Sequence, residues 1–559
     1  MIQYYEIDGV PALFTPTDGP LHAGLAFRVG LADEPLARRG MTHLVEHLAL
    51  NFRGVPDNHH HSTTGDEITY FHLGGSEKEV VPFLDGVCAA LRDLPVHRLE
   101  IEKEVLRVEQ NSRPAAVGDL LALTRHGARD FGMRGYPEMG LRAITADSLR
   151  DWTARFFNRA NAALWISGPA LPAGLRLALP DGQRQAAPAA SSALLERPAH
   201  LTGPAGLLAW NAVVRRSPAA AVFAGVLQRA MFRSLRQHAG LSYTVDAAHE
   251  TRGNGTSLIT ATADALPEKR AAAVGGFVDV LASLRYTGAE PDEVAAVVQQ
   301  QCDSIADAAR LGALLPGQVT DLLTGHPVRA AADQQAEVRT VTAEQVRAVA
   351  VEAWADGLLL APCAVNAGWT GLAPVPTRSL SAVTGKTVPA IGNDDIRLVS
   401  GWWGVTLSEG DEECLTVRFE ECAAMLAYGD GGRTLIGHDG ITVTVEPTLF
   451  ENGSARVAHI DSRTDPGLRI DLPARPADAI PQPEIEESCC DDDCCDGDCC
   501  DGDCCSDDDC AGECCEQCCD DDCCDRDCCD GDCCSDDACQ GRCCTGGRVG
   551  RAMRRLRRR

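Results

Sequence analysis

Residues 40–50 read GMTHLVEHLAL, with His43, Glu46 and His47 set among apolar neighbours. The spacing of those apolar residues predicts an amphipathic helix over 41–51. At about 100° per residue, Glu46 and His47 fall within about 100° of arc with His43, so all three side chains project from one face. Two imidazoles one turn apart can reach a single Zn²⁺ at roughly 2.0–2.1 Å, and a carboxylate beside them can take a proton from an attacking water. The order reverses the familiar HExxH arrangement. The same pentad also suits a helix whose histidines are merely buried or solvated, and five residues alone leave both readings open.

A zinc hydrolase needs a third protein ligand and keeps the fourth position for water. Downstream, Glu102-Lys-Glu-Val-Leu-Arg-Val-Glu109 lies in a strongly helical run over 98–111. Residues seven apart differ by about −20°, so Glu102 and Glu109 share a face, and one can ligate while the other supports. A solvated charged helix face is the plain alternative.

With these motifs in place, the chain resembles the pitrilysin/insulinase family of inverted (HxxEH) zinc metallopeptidases, whose half-length members include the mitochondrial processing peptidase subunits. The likeness extends upstream through Val29-Gly-Leu-Ala-Asp-Glu34-Pro-Leu-Ala-Arg-Arg-Gly40 and downstream through Ser62-Thr-Thr64-Gly-Asp-Glu-Ile-Thr69-Tyr70-Phe71. The 62-residue step from His47 to Glu109 is shorter than the family's usual gap, and His61 stands where Asn is common. The resemblance implies one catalytic Zn²⁺ per chain on His43, His47 and Glu109, with Glu102 supporting Glu109 and Glu46 as general base. A second match, Phe232-Arg-Ser-Leu-Arg236-Gln-His-Ala-Gly240-Leu241-Ser242-Tyr243, resembles the family's Arg and Tyr motif. It implies that Tyr243 donates to the scissile carbonyl and Arg236 holds a neighbouring substrate carbonyl, where one preorganised donor is worth roughly 2.7–4 kcal/mol. The likeness covers about residues 1–375. It implies a zinc endopeptidase for short or unstructured peptides, dimeric around a closed chamber, with Arg236 and Tyr243 serving the facing subunit. Homodimer and heterodimer both stay open. The alternative is a non-catalytic scaffold of peptidase-like fold that carries a metal-buffering tail.

The element pattern is α+β. Residues 1–185 mix strand-like runs (21–29, 67–73, 162–167) with helical ones, and 196–375 repeat a comparable order, with a long helix over 217–237. Two similar domains, each an antiparallel sheet plus helices, are expected, separated by a Pro/Ala/Ser/Gly-rich stretch over 180–206. A second linker, 374–392, precedes a small, mostly-β domain over 393–475 with frequent turn signals and one helix at 420–428.

Charge separates off the last part. The chain carries 51 basic and 80 acidic residues, for a net charge of −29. Residues 489–544 hold 22 of the 27 cysteines among 21 Asp and Glu and two Arg, which puts about −19 on that stretch. Residues 481–559 therefore read as a disordered Cys/Asp-rich tail without an apolar set to fold around. Paired thiols between carboxylates suit soft or divalent cations, roughly five Zn²⁺ at four thiolates each, or Cu(I); a plain solvating tail is the alternative. The Arg-rich end, 548–559, has that acidic tract as its simplest partner. Nothing overall basic marks nucleic acid as the main partner. No run of about 18 apolar residues predicts a membrane span. The opening MIQYYEIDGVPALFTP lacks a signal peptide's basic and apolar regions, and five scattered cysteines before residue 488 add to the expectation of a cytoplasmic protein.

Overall fold

Short apolar strands alternating with amphipathic helices pair into two six-stranded sheets of matching topology. The computed structural model describes residues 2–51, 60–112, 116–203, 207–363, 365–410 and 413–483. In the first sheet β1 (Gln3–Ile7), β2 (Val10–Pro16), β3 (Leu21–Phe27), β4 (His60–Thr64), β5 (Thr69–Gly75) and β6 (Ala162–Gly168) stand in the order β1-β2-β6-β3-β5-β4. In the second, β7 (Ala199–Thr202), β8 (Leu207–Arg215), β9 (Val245–Thr251), β10 (Thr256–Asp264), β11 (Leu358–Ala361) and β12 (Ala373–Pro374) stand β12-β7-β11-β8-β10-β9. From β2 and β7 onward the two orders are the same, including the parallel pairs β2/β6 and β7/β11. The expected duplication is thus one of topology. The sheets are mixed rather than purely antiparallel, because β6 and β11 each return through a long helical crossover to pair parallel with β2 and β7, which a hairpin cannot provide.

Each sheet buries one face under helices. In the first unit α1 (Met41–Leu50), α2 (Glu77–Arg92), α3 (Leu99–Ser112), α4 (Val117–His126) and α5 (Ala146–Phe156) follow the strands. Leu44, Val45 and Leu48 of α1 join Phe83 and Val87 of α2 against Leu25, Phe27 and Phe71, all fully buried. At roughly 1.5–3 kcal/mol for each such side chain, that contact holds α1 firmly on the sheet, with its His43/Glu46/His47 face turned away from the sheet toward α3. The second unit contains α6 (Pro218–Met231), α7 (Arg270–Tyr286), α8 (Pro291–Arg310), α9 (Leu315–Leu323), α10 (Ala331–Arg339) and α11 (Ala343–Ala355). The helix expected over 217–237 is α6 continued by a π-helical turn, Phe232–His238. Helix α9 seats Leu315, Val319 and Leu323 on Leu13, Ala26 and Trp165 of the first sheet and so joins the two units. Buried Arg125 of α4 reinforces the joint, with Asp356 at 2.6 Å.

The third region has two four-stranded sheets, β13 (Gly385–Ala390) to β16 (Glu413–Arg418) through β14 (Asn393–Gly401) and β15 (Gly404–Glu409), and a second from β17 (Cys422–Tyr428), β18 (Arg433–Gly437), β19 (Thr442–Val445) and β20 (Arg469–Leu472), with α12 (Gly453–Arg463). The helix expected at 420–428 is strand β17. Its Ala, Met and Leu favour a helix locally, but it is a central strand between β18 and β20, with Cys422, Ala423, Ala424 and Met425 all buried, so a continuous apolar run suits it. Strands β7 and β13 also fall inside the stretches expected as linkers. Residues 484–559, with the paired cysteines and the Arg-rich end, lie outside the described residues, as do the metal and pairing expectations placed on them. Among the described residues no helix is long and apolar enough to cross a membrane.

Candidate metal centre

Helix α1 starts sharply. Gly40, at φ 104°, stands in left-handed backbone, and a Cβ there would meet Leu141 Cδ2 at 2.8 Å, so this turn requires glycine. Glu34 takes the place of an ordinary N-cap: its carboxylate accepts from Gly40 N at 3.0 Å and Thr42 N at 2.6 Å, and Arg39 Nη1 donates to it at 3.0 Å. An anion at the positive end of the helix and a buried guanidinium that neutralises it fix where His43 and His47 emerge.

The two imidazoles lie edge to face, their centroids 4.8 Å apart. Each Nδ1 is engaged by a different carboxylate. His43 Nδ1 lies 2.9 Å from Glu138 Oε1, and His47 Nδ1 lies 3.3 Å from Glu102 Oε2. Glu102 is held in turn by Asn51 Nδ2 at 3.1 Å and by Arg98 Nε and Nη2 at 3.2 and 3.1 Å. The Nε2 atoms are then the ones left to face Glu109, whose Oε2 lies 3.9 Å from that of His43 and 3.6 Å from that of His47. The candidate ligand atoms of His43, His47 and Glu109 all lie within 4.8 Å of one another. Two imidazole nitrogens and one carboxylate oxygen, with both Nδ1 atoms already engaged, form a donor set that fits a zinc ion.

Glu46 is 5% exposed and accepts a hydrogen bond from Thr64 Oγ1 of β4. Beside it opens a cavity of about 880 Å³, lined by His43, Glu46, Thr64, Glu109 and Glu138 among others. Burial pulls the His43 imidazole down, but the hydrogen bond and charge of Glu138, with Glu46 and Glu109, outweigh it and leave the net shift upward. For Glu138, burial raises the carboxyl while His43 and Arg39 bring it below its ordinary value.

His43, Glu46, His47, Glu102 and Glu109 therefore converge, but Glu102 engages His47 rather than Glu109, the residue it was expected to support, because its carboxylate turns toward the Nδ1 of α1's second imidazole. Arg236 and Tyr243 do not join them. Arg236, on the π-helical turn, packs its guanidinium 4.7 Å from the Tyr243 ring centroid, Tyr243 is 74% exposed, and neither residue lines the cavity. The loop bearing Tyr243 is tied down by Asp264, whose Oδ1 accepts from Ser242 Oγ at 2.6 Å and from the backbone of Tyr243 and Thr244 at 2.8 Å each. Sequence reasoning did not single out Glu138, Arg98, Asn51 or Asp264. Glu34 lies six residues ahead of the N-cap position Gly40, outside the range in which spacing signals a helix cap. Glu138 had no local signal at all.

No family model matches the chain, and no curated protein matches it. Solved structures do resemble it. The peptidase M16 inactive domain from Pseudomonas fluorescens superposes with a TM-score of 0.55 at 14% identity, over 65% of this chain and 98% of that one. A protease from Helicobacter pylori gives 0.56 at 14% identity, over 65% and 99%. An M16-like peptidase from Alicyclobacillus acidocaldarius gives 0.53 at 16% identity, over 65% and 98%. Over that part of its length the chain has the pitrilysin-like fold of M16 peptidases.

Proposed function

We propose that the chain is a zinc-dependent endopeptidase that hydrolyses short or unstructured peptides. The observation that carries this is the convergence of His43 Nε2, His47 Nε2 and Glu109 Oε2 near the buried carboxylate of Glu46, with His43, Glu46 and Glu109 lining the 880 Å³ cavity. Zinc held by those three residues would supply Lewis-acid polarisation and would lower the pKa of a water toward neutrality. Glu46 would act as the general base, taking a proton from the attacking water and passing it to the leaving amine, while Thr64 orients the carboxylate by its hydrogen bond. Glu102 and Glu138 hold the imidazoles by their Nδ1 atoms. Strand β4 is the outer strand of its sheet, and Ser62, Thr63 and Thr64 line the cavity, so an extended peptide can add to it through main-chain hydrogen bonds.

Arg236 and Tyr243, exposed and away from this cavity, serve the facing subunit of a dimer in this proposal. A homodimer has both sets of residues and needs no other chain. The same separation favours a second reading, a scaffold without catalysis that carries a metal-buffering tail.

The test is zinc content and cleavage of a mixed peptide library, on the full chain with accessible thiols alkylated so that the tail takes up no metal. Glu46→Gln is expected to retain its zinc and lose about 10²–10⁴-fold in cleavage. Equal cleavage by parent and variant would sink the mechanism, and zinc without any cleavage in the parent would favour the scaffold.

A further inference from the structure

We infer that Glu138 is the positioning residue of His43, holding its imidazole as the Nδ1–H tautomer so that Nε2 is bare toward His47 and Glu109; this rests on the zinc site proposed above. A neutral imidazole carries one proton, and the nitrogen that keeps it cannot ligate. Glu138 Oε1, 2.9 Å from His43 Nδ1, is an acceptor that draws the proton to that side. The arrangement parallels the one Glu102 makes with His47, but it comes from a distant loop instead of the ligand helix.

Glu138 is itself held. Its backbone N donates to Gln110 Oε1 at 2.7 Å, next in sequence to Glu109, so the same contact ties the loop to the end of α3. Its carboxylate lies 3.5 Å from Arg39 Nη1, the guanidinium group that also neutralises the Glu34 cap of α1. Cap, arginine, Glu138 and His43 thus form one chain of charge-assisted contacts along the start of α1. The other carboxylate oxygen, Oε2, is buried and has no hydrogen-bond partner among the described residues. A buried carboxylate with half its acceptors unused is a poor choice for stability alone. Orienting a metal ligand gives it a reason to be there, since partners of this kind typically change metal affinity 10–100-fold.

The experiment uses the full chain, labelled with ¹⁵N-histidine, metal-free, at a pH above imidazole titration, with the His43 signals assigned by their loss in His43→Gln. The parent is expected to show the Nδ1–H form. Glu138→Ala is expected to shift His43 toward the Nε2–H form, and Glu138→Gln, whose amide oxygen still accepts, to restore it. With accessible thiols alkylated, competition for Zn²⁺ against a chromophoric chelator is expected to show about 10–100-fold weaker binding in Glu138→Ala and near-parental binding in Glu138→Gln. Unchanged tautomer and unchanged affinity in Glu138→Ala would overturn the assignment. If that variant does not fold, Glu138→Met keeps the volume, removes the acceptor and is judged by the same two readouts. A parent whose zinc affinity is indifferent to His47→Ala would defeat the zinc site itself, a result separate from the tautomer measurement.

Discussion

Thr64 makes a contact with large leverage. Its hydroxyl donates to Glu46, the carboxylate proposed as general base, from the edge strand on which substrate would lie. A hydrogen bond to a charged group is worth about 1.5–3 kcal/mol, so Thr64→Val should lower kcat roughly 10–100-fold with zinc content unchanged. Steady-state kinetics beside metal analysis check this, and a variant that loses zinc instead would reassign Thr64 to metal retention. At this scale the ligands were legible because a helix converts spacing into direction: 43, 46 and 47 share a face, as do 102 and 109. Glu138 was not legible, since what places it beside His43 is a loop packed between α3 and α1.

The element that matters most is α1, whose position depends on its first turn. Glu34 accepts two helix N–H groups and balances buried Arg39. Glu34→Ala removes the cap and the nearer carboxylate of Arg39, leaving it Glu138 at 3.5 Å, and a lost partner in a buried pair costs up to about 3–5 kcal/mol. Urea denaturation should therefore show a midpoint below that of the parent; a difference under about 1 kcal/mol, the size of a simple cap loss, would show that Glu138 suffices to pair Arg39. Strand β17 teaches the complementary lesson. Its residues favour a helix when read locally, and they form a strand because neighbours on both sides satisfy its backbone and cover its apolar atoms.

Across the whole molecule, the two units meet through groups that are sensitive to acid. His126 is 2% exposed, with Nδ1 2.6 Å from the Ser191 carbonyl, and burial, then the nearby Arg252, push its pKa down to about 3. The unfolded chain binds that proton near pH 6.5, so this contribution to stability is complete above about 6.5 and is lost as pH falls toward 3. The full loss is on the order of 5 kcal/mol, at about 1.36 kcal/mol per pKa unit. Denaturation midpoints at several pH values should fall more steeply for the parent than for His126→Gln; identical profiles would assign the acid sensitivity elsewhere. The proposed dimer has its own signature. Glu46→Gln and Tyr243→Phe chains, each inactive alone, should recover part of the activity when mixed under exchange conditions. No recovery, with dimers present, would mean that Tyr243 does not serve the facing subunit.

Taken by itself, the sequence determined the α+β class, the helices bearing His43, Glu46, His47, Glu102 and Glu109, and the separate character of the acidic, cysteine-rich tail. Those features follow from periodicity and composition, which act over a few residues. The tertiary structure decided the matching strand order of the two units, the strand at 422–428, the contacts of Glu34 with the start of α1 and of Glu138 with His43, and the absence of Arg236 and Tyr243 from the cavity lining. Each of these depends on which surfaces meet after the chain has crossed from sheet to helix and back, and spacing along the chain carries no record of that.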